Sequence, residues 1–188
     1  MKEKIFCITD FETTGTDPAK DYPIEIGCIF ADKNFNLLGT YSNLIRPNNL
    51  RILFNKKGEW KKEYLPAFKI HKIKPKEIQS KGITYQECCS QLLDIINKIK
   101  KNNEKIIILS DNAYFEMSFM KKLFLLANLK DKFPFHYCAY DTNLSLCVFS
   151  NIGDALLKHR AIEDALLLHN QILKYLKLNN IKEGKWKK

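Results

Sequence analysis

Two carboxylates stand two residues apart near the N-terminus, directly after an apolar run that predicts a buried strand. The run covers residues 5–9, and Asp10 and Glu12 follow it in the stretch ITDFETTGTDP. Side chains two apart on a strand project from the same face, so both acids are expected on one side of a sheet. Like charges this close cost free energy unless a cation lies between them. Because Mg²⁺ and Mn²⁺ take carboxylate oxygens as ligands, the pair is a candidate metal site, although such a pair alone is also common on solvated surfaces.

A second candidate group lies near the C-terminus, in the stretch HRAIEDA. His159 precedes a predicted helix, and Asp164 lies in its first turns at the border of the apolar face. An acid at that position would also stabilise the helix dipole without any metal, and His159 could be an ordinary surface residue. Taken alone, this stretch leaves a catalytic and a structural interpretation open. His169, on the same helix, is predicted to be a structural residue of the helix face rather than a ligand.

The hydrophobic pattern predicts the elements that must hold these groups. The predicted strands cover residues 5–10, 23–32, 36–47, 105–110 and 135–140, and the predicted helices cover residues 84–101, 113–127 and 160–176. Residues 48–83 are interrupted by proline and glycine and are expected to be irregular. The order β-β-β-α-β-α-β-α predicts an α/β fold in which helices flank a mixed five-stranded sheet. The first carboxylate pair would lie at a strand end, where α/β sheets place ligands.

The composition is that of one globular domain. The chain has 188 residues, of which 45% are hydrophobic. We expect a single domain over residues 1–178, followed by a basic tail over residues 179–188. No apolar run is long enough to predict a membrane span, and we expect no secretory signal before the first strand. The cysteines occur without a CxxC pair, mostly in apolar runs, which predicts buried thiols in a reducing cytoplasm. They are Cys7, Cys28, Cys88, Cys89, Cys138 and Cys147.

The formal net charge of +10 favours a polyanionic partner, with nucleic acid ahead of a membrane surface. A lysine-rich background composition would give the same value. Residues 55–74, NKKGEWKKEYLPAFKIHKIK, interleave lysines with Trp60, Tyr64 and Phe68. That composition suits a single-stranded nucleic acid, whose bases stack on aromatic rings. The spacing of the three rings also fits a lysine-coated helix whose aromatic side belongs to the core.

The stretches DFETTGTDP, IEIG and HRAIEDA, in this order, resemble the DnaQ-like 3′–5′ exonucleases of the DEDDh type over about residues 5–176. The resemblance implies a ribonuclease H-like fold. The family's middle motif carries an aspartate where DNAYFEMSFM, residues 111–120, carries Glu116. We favour Glu116 as the ligand because it keeps the helix register with Phe115 and Phe119. Asp111, which stands where the family has a histidine, is the alternative ligand.

The resemblance also implies a mechanism, a two-metal hydrolysis. Asp10, Glu12, Glu116 and Asp164 would hold two divalent ions, Mg²⁺ or Mn²⁺, and His159 would act as general base. The implied substrate is a single-stranded nucleic acid, DNA or RNA, with a free 3′ end, and the product is a nucleoside 5′-monophosphate.

The implied nucleotide contacts lie beside these acids. Thr13, Thr14 and Gly15 match the place where the family holds the 3′-terminal nucleotide, and the glycine would permit a sharp turn. Asn112 is a polar residue expected near the metals.

Two further functions stay open. The first is a degenerate member that binds nucleic acid or a protein without cutting, because Glu116 and Asp111 depart from the family pattern. The second is an oligoribonuclease-like enzyme that acts on very short oligonucleotides. The family contains monomers and dimers, so the resemblance predicts neither an oligomeric state nor a polymerase partner.

Overall fold

A mixed sheet of six strands forms the centre of the computed structural model, which describes residues 4–101, 105–142 and 159–178. Cys147 and the predicted basic tail, residues 179–188, lie outside the described residues. The strands are β1 (Lys4–Thr13), β2 (Pro23–Ala31), β3 (Leu37–Arg46), β4 (Ile83–Thr84), β5 (Lys105–Ser110) and β6 (Phe135–Asp141). The helices are α1 (Leu65–His71), α2 (Pro75–Lys81), α3 (Tyr85–Ile99), α4 (Ala113–Leu126) and α5 (Ala161–Leu178).

The strand order is β4-β3-β2-β1-β5-β6. The first three strands form an antiparallel meander, and β5 and β6 run parallel to β1. This arrangement confirms the predicted ribonuclease H-like α/β fold, but the predicted count of five strands is wrong. The additional strand, β4, has two residues and pairs with the end of β3. A strand that short has no alternating pattern that a sequence could display.

Helices cover both faces of the sheet, and the alternation along β1 decides which side chains face which helix. Cys7 and Phe11 pack in the larger core with α3 and α4. Ile8 packs in a second core with α5. Because side chains alternate along a strand, Asp10 and Glu12 project toward the face of α5. All nine residues of β2 are buried, since helices cover this central strand on both sides.

Residues 48–82 form a separate small lobe beside the sheet, with its own apolar cluster. Trp60 is buried, and its indole Nε1 donates a hydrogen bond to the carbonyl oxygen of Ile73 at 3.0 Å. Tyr64 is also buried, so these two rings belong to the core rather than to a stacking surface. In place of one continuous helix, the lobe contains a bridge between Phe54 and Trp60 followed by the short helices α1 and α2.

Five of the six cysteines lie in the described part of the chain, and all five are free thiols. Cys138 is half-buried and the other four are buried, as the sequence pattern predicts. None of the described helices is both long and apolar enough to cross a membrane.

Candidate active site

Glu12, His159 and Asp164 come together where β1 meets the start of α5. One ligand atom from each of the three side chains lies within 4.8 Å of the others. Both carboxylates are buried, and the imidazole is half-buried. His159 has a φ of 54°, a left-handed conformation that few non-glycine residues adopt.

A second pair of acids lies within electrostatic reach of Asp10. Glu116 is in the first turn of α4, is 2% exposed and interacts electrostatically most strongly with Asp10. Asp111, just before α4, is half-buried and also lies within electrostatic reach of both. Asn112 is exposed, and its side chain caps α4 by accepting a hydrogen bond from the amide of Phe115 at 3.3 Å. Asp10 therefore links the group at α5 to the group at α4.

The Glu116 carboxylate has an oxygen, Oε2, that is buried and has no hydrogen-bond partner among the described residues. Buried polar atoms nearly always have a partner, and a buried carboxylate oxygen without one is costly. Glu12, Asp164 and His159, with Asp10 and Glu116 within electrostatic reach, form a donor set that suits a hard divalent cation. The residues present thus fit the metal site that the resemblance implies.

The electrostatics of the cluster agree with such a site. Burial, followed by the repulsion of Glu25 and Asp164, raises the pKa of Glu12 to about 8. Burial and the charges of Glu12 and Asp164 raise the pKa of Asp10 well above its ordinary value. Burial and Asp10 do the same for the pKa of Glu116. The protein thus holds these acids where ionisation is unfavourable unless positive charge is supplied.

Metal-free protein is expected to lose stability through this cluster as the pH rises. A carboxyl group whose pKa is higher in the folded chain stabilises the fold while it is protonated. For Glu12 this contribution is complete below the ordinary pKa of 4.5 and is lost as the pH rises to about 8. The shifts of Asp10 and Glu116 act in the same direction.

A saturating divalent cation is therefore expected to raise the melting temperature by about 5–10 °C near pH 8. The increase near pH 5 should be less than half as large, since protonated carboxyls bind metal poorly. Thermal unfolding in EDTA and in Mg²⁺ or Mn²⁺ at both pH values measures the difference, with Asp10→Asn as a variant that should respond less. Equal increases at the two pH values would contradict the prediction.

Thr13 and Thr14 form a rigid turn after β1. The Thr13 hydroxyl donates a hydrogen bond to the carbonyl of Gly15 at 2.6 Å, and Thr14 Oγ1 accepts one from the amide of Tyr22 at 2.9 Å. The Thr14 hydroxyl also donates to Asp21 Oδ1 at 3.3 Å. A Cβ on Gly15 would collide with the Asp21 carboxylate. Glycine is favoured here, because any larger residue would displace the Asp21 side chain and its hydrogen bonds.

An ion pair between half-exposed Arg160 and buried Glu25 fixes the start of α5 to β2. Glu25 is 3% exposed, and it lies opposite Glu12 in the antiparallel pairing of β1 and β2. Its carboxylate accepts hydrogen bonds from Arg160 Nη2 at 2.7 Å, from Arg160 Nε at 3.1 Å and from the amide of Ala161 at 3.1 Å. Gly27, two residues along β2, lies so close to the α5 backbone at Ala161 that a Cβ would collide with it. We call these contacts the α5 clasp.

A family model described as an exonuclease matches residues 7–171 of the chain. The chain belongs to this exonuclease family. The match confirms the resemblance to the DnaQ-like exonucleases that the sequence motifs indicated. A search of curated protein sequences gave no match.

Solved structures of exonucleases share the fold. E. coli exonuclease I, in a zinc-bound complex with single-stranded DNA, has a TM-score of 0.68 and 17% identity over 96% of this chain and 42% of that chain. The nuclease domain of 3′hExo, a DEDDh family member bound to rAMP, has a TM-score of 0.67 and 16% identity over 93% of this chain and 92% of that chain. The chain therefore spans less than half the length of exonuclease I.

The α5 clasp is the part of the exonuclease site that sequence reasoning missed. Glu25 appeared in the sequence as part of IEIG, and Arg160 as the residue after His159. A signal existed, because a lone glutamate within the apolar run of β2 must be buried, and a buried charge requires a partner. The partner could not be identified, since Arg160 is separated from Glu25 by more than a hundred residues.

Breaking the clasp is expected to lower kcat about 10- to 100-fold with little change in KM. In this prediction the ion pair of Arg160 positions the neighbouring His159. Either Glu25→Gln or Arg160→Gln would break the ion pair and let the His159 side chain move. Because the Arg160 side chain is 41% exposed, we expect each change to destabilise the fold by only about 1–3 kcal/mol.

The double variant should be no slower than the slower single variant, because the two residues act through one contact. Steady-state kinetics and unfolding of the three variants test this. Additive decreases of kcat in the double variant, or changes in KM alone, would show that the clasp does not position His159.

Proposed function

We propose that the protein is a metal-dependent 3′–5′ exonuclease that shortens single-stranded DNA or RNA to nucleoside 5′-monophosphates. The observation that carries this proposal is the convergence of Glu12, His159 and Asp164 beside Asp10 and Glu116, in a chain of the exonuclease family. Single-stranded DNA bound to exonuclease I and rAMP bound to 3′hExo support a single-stranded substrate and a mononucleotide site.

The carboxylates of Asp10, Glu12, Glu116 and Asp164 would hold two divalent ions, Mg²⁺ or Mn²⁺. Such ions, when bound, lower the pKa of water and stabilise the leaving oxygen. His159 would accept the proton of the attacking water through a ring nitrogen. A new phosphorus–oxygen bond forms to the water oxygen, the bond to the 3′ oxygen of the preceding nucleotide breaks, and that oxygen takes up a proton. One water is consumed for each nucleotide released.

The turn after β1 would hold the 3′-terminal nucleotide. Thr13 and Thr14 are buried and fixed by hydrogen bonds, so their backbone can position a nucleotide with little loss of entropy. The α5 clasp fixes Arg160, the residue after His159, and this contact would align the proposed general base with the same nucleotide.

The proposal is tested with single-stranded DNA and RNA labelled at the 5′ end, incubated with Mg²⁺, Mn²⁺ or EDTA. We expect a ladder of products shortened from the 3′ end with either metal, no product in EDTA, and no product from Asp10→Ala. Binding without any product in both metals and on both polymers would overturn the proposal and indicate a nucleic-acid-binding module that does not cut.

A further inference from the structure

The positive charge of the protein is concentrated in the lobe formed by residues 48–82, which we call the basic lobe. This segment has ten lysine and arginine residues and three glutamates, a net charge of +7 out of the +10 of the whole chain. The remaining 153 residues together contribute only +3. A background of lysine spread evenly over the chain would not produce this distribution.

The cations of the basic lobe face solvent, and no ion pair with an acid of the described residues neutralises them. Nine of the ten cations are exposed and Lys61 is half-buried. None of the ten forms an ion pair with an acid of the described residues. The aromatic rings of Trp60 and Tyr64 are buried beneath them. The lobe therefore presents cations to a partner without presenting these two rings.

The basic lobe packs against two neighbours of the candidate active site, the start of β2 and the residue before it. Ile24 belongs to its apolar cluster and precedes Glu25 of the α5 clasp. Tyr22 packs on the same cluster, and its amide donates the hydrogen bond to Thr14. At the end of α1, burial together with the charges of Arg160 and His159 lowers the pKa of His71 to about 4.

The joint between α1 and α2 thus lies within electrostatic reach of the proposed general base. Lys69 lies in the last turn of α1, and Lys72 and Lys74 lie in the three-residue joint, residues 72–74. All three lysines are exposed. We call these three residues the joint lysines.

We propose that the joint lysines bind the phosphates of the strand upstream of the 3′ end, so that the enzyme prefers a long single strand to a dinucleotide. The proposal rests on the proposed exonuclease function. Contacts between lysines and phosphates are independent of sequence and release counterions, so binding weakens steeply with salt. Because Trp60 and Tyr64 are buried, they do not stack on bases, and little base preference is added.

The test compares two variants that lose the same charge. The joint variant carries Lys69→Gln, Lys72→Gln and Lys74→Gln. The control variant carries Lys98→Gln, Lys100→Gln and Lys130→Gln, three exposed lysines outside the basic lobe, at the end of α3 and after α4. Melting temperatures verify that both variants fold.

Cleavage is measured on a dinucleotide and on a strand of about 20 nucleotides over a range of salt concentrations. The joint variant is expected to lose about tenfold in kcat/KM on the long strand at low salt and to keep its activity on the dinucleotide within about twofold. The slope of log(kcat/KM) against log[salt] should become shallower by up to about 2, from about 0.7 for each lost contact. The control variant should change neither value. Equal losses on both substrates, or an unchanged slope, would overturn the proposal.

Failure of this proposal is distinguishable from failure of the proposed function. Binding of the long strand is also measured in Asp10→Ala protein, with and without the joint substitutions. If wild-type protein cuts nothing, the proposed function fails, and a shallower salt slope of binding still supports the basic lobe as a strand-binding surface. If the wild type cuts and the joint substitutions change neither cleavage nor binding, only the role of the lobe is overturned.

Discussion

Replacing Glu116 with glutamine is expected to lower kcat at least about 100-fold while raising the melting temperature of metal-free protein by a few degrees. The loss follows because glutamine keeps the size of the side chain but removes a charged metal ligand. The gain follows because burial and the neighbouring Asp10 make the ionised form of Glu116 unfavourable, and glutamine never ionises. Opposite effects on activity and stability are typical of a functional group whose active, ionised form is unfavourable in the folded protein.

Asp111→Asn is the matched control, since Asp111 is the other acid that could replace the family's aspartate. It should lower kcat less than about tenfold, as expected for a residue that acts around the metal ligands rather than among them. Kinetics in Mg²⁺ and in Mn²⁺ give kcat for each variant, and thermal unfolding in EDTA gives its melting temperature. A larger loss from Asp111→Asn than from Glu116→Gln would reverse the assignment of the ligand.

Replacing His159 with asparagine is expected to lower kcat by about 100- to 10,000-fold, the usual effect of removing a general base. The increase of melting temperature on metal binding should persist, because the carboxylates that hold the metal remain. Loss of that increase together with the activity would instead make His159 a ligand, which its distance from Glu12 and Asp164 also permits. Thermal unfolding with and without metal therefore separates the two roles.

His169→Asn provides the control, since His169 is a buried histidine of α5, the helix that follows His159. The His169 Nε2 atom lies 3.1 Å from the carbonyl oxygen of Phe35, in the second core. This substitution should lower the melting temperature and leave kcat within about twofold, because breaking a buried hydrogen bond costs stability and touches no reacting group. A loss of kcat comparable to that of His159→Asn would contradict the structural role of His169.

Local patterns of the sequence were sufficient to predict most of the fold. The alternation along β1 predicts that Asp10 and Glu12 share a face, and the apolar stripe of α5 predicts that Asp164 lies at its border. The two-residue strand β4 could not be predicted, because its existence depends on pairing with the distant end of β3. The same limit applies to Glu25 and Arg160, whose contact depends on the packing of α5 onto β2.

The basic lobe illustrates a different limit. Its composition predicted two opposite roles for the aromatic residues, stacking on bases or packing in a core, because the same spacing serves both. Only the packed structure separates them, by burying Trp60 and Tyr64 and leaving the lysines outside. The charge was readable from the sequence, but its position beside the site was not.

The α5 clasp also determines where the chain tolerates changes of length. Arg160 is held by β2, and Asp164 follows within the first turn of α5. One residue inserted between them would rotate Asp164 by about 100° around the helix axis, away from Glu12. An insertion before His159 does not change the position of Asp164 around the helix axis relative to Arg160. The spacing of HRAIED is therefore fixed by helix geometry and by the ion pair of Arg160 with β2, and an insertion within this stretch should be tolerated less well than one before His159.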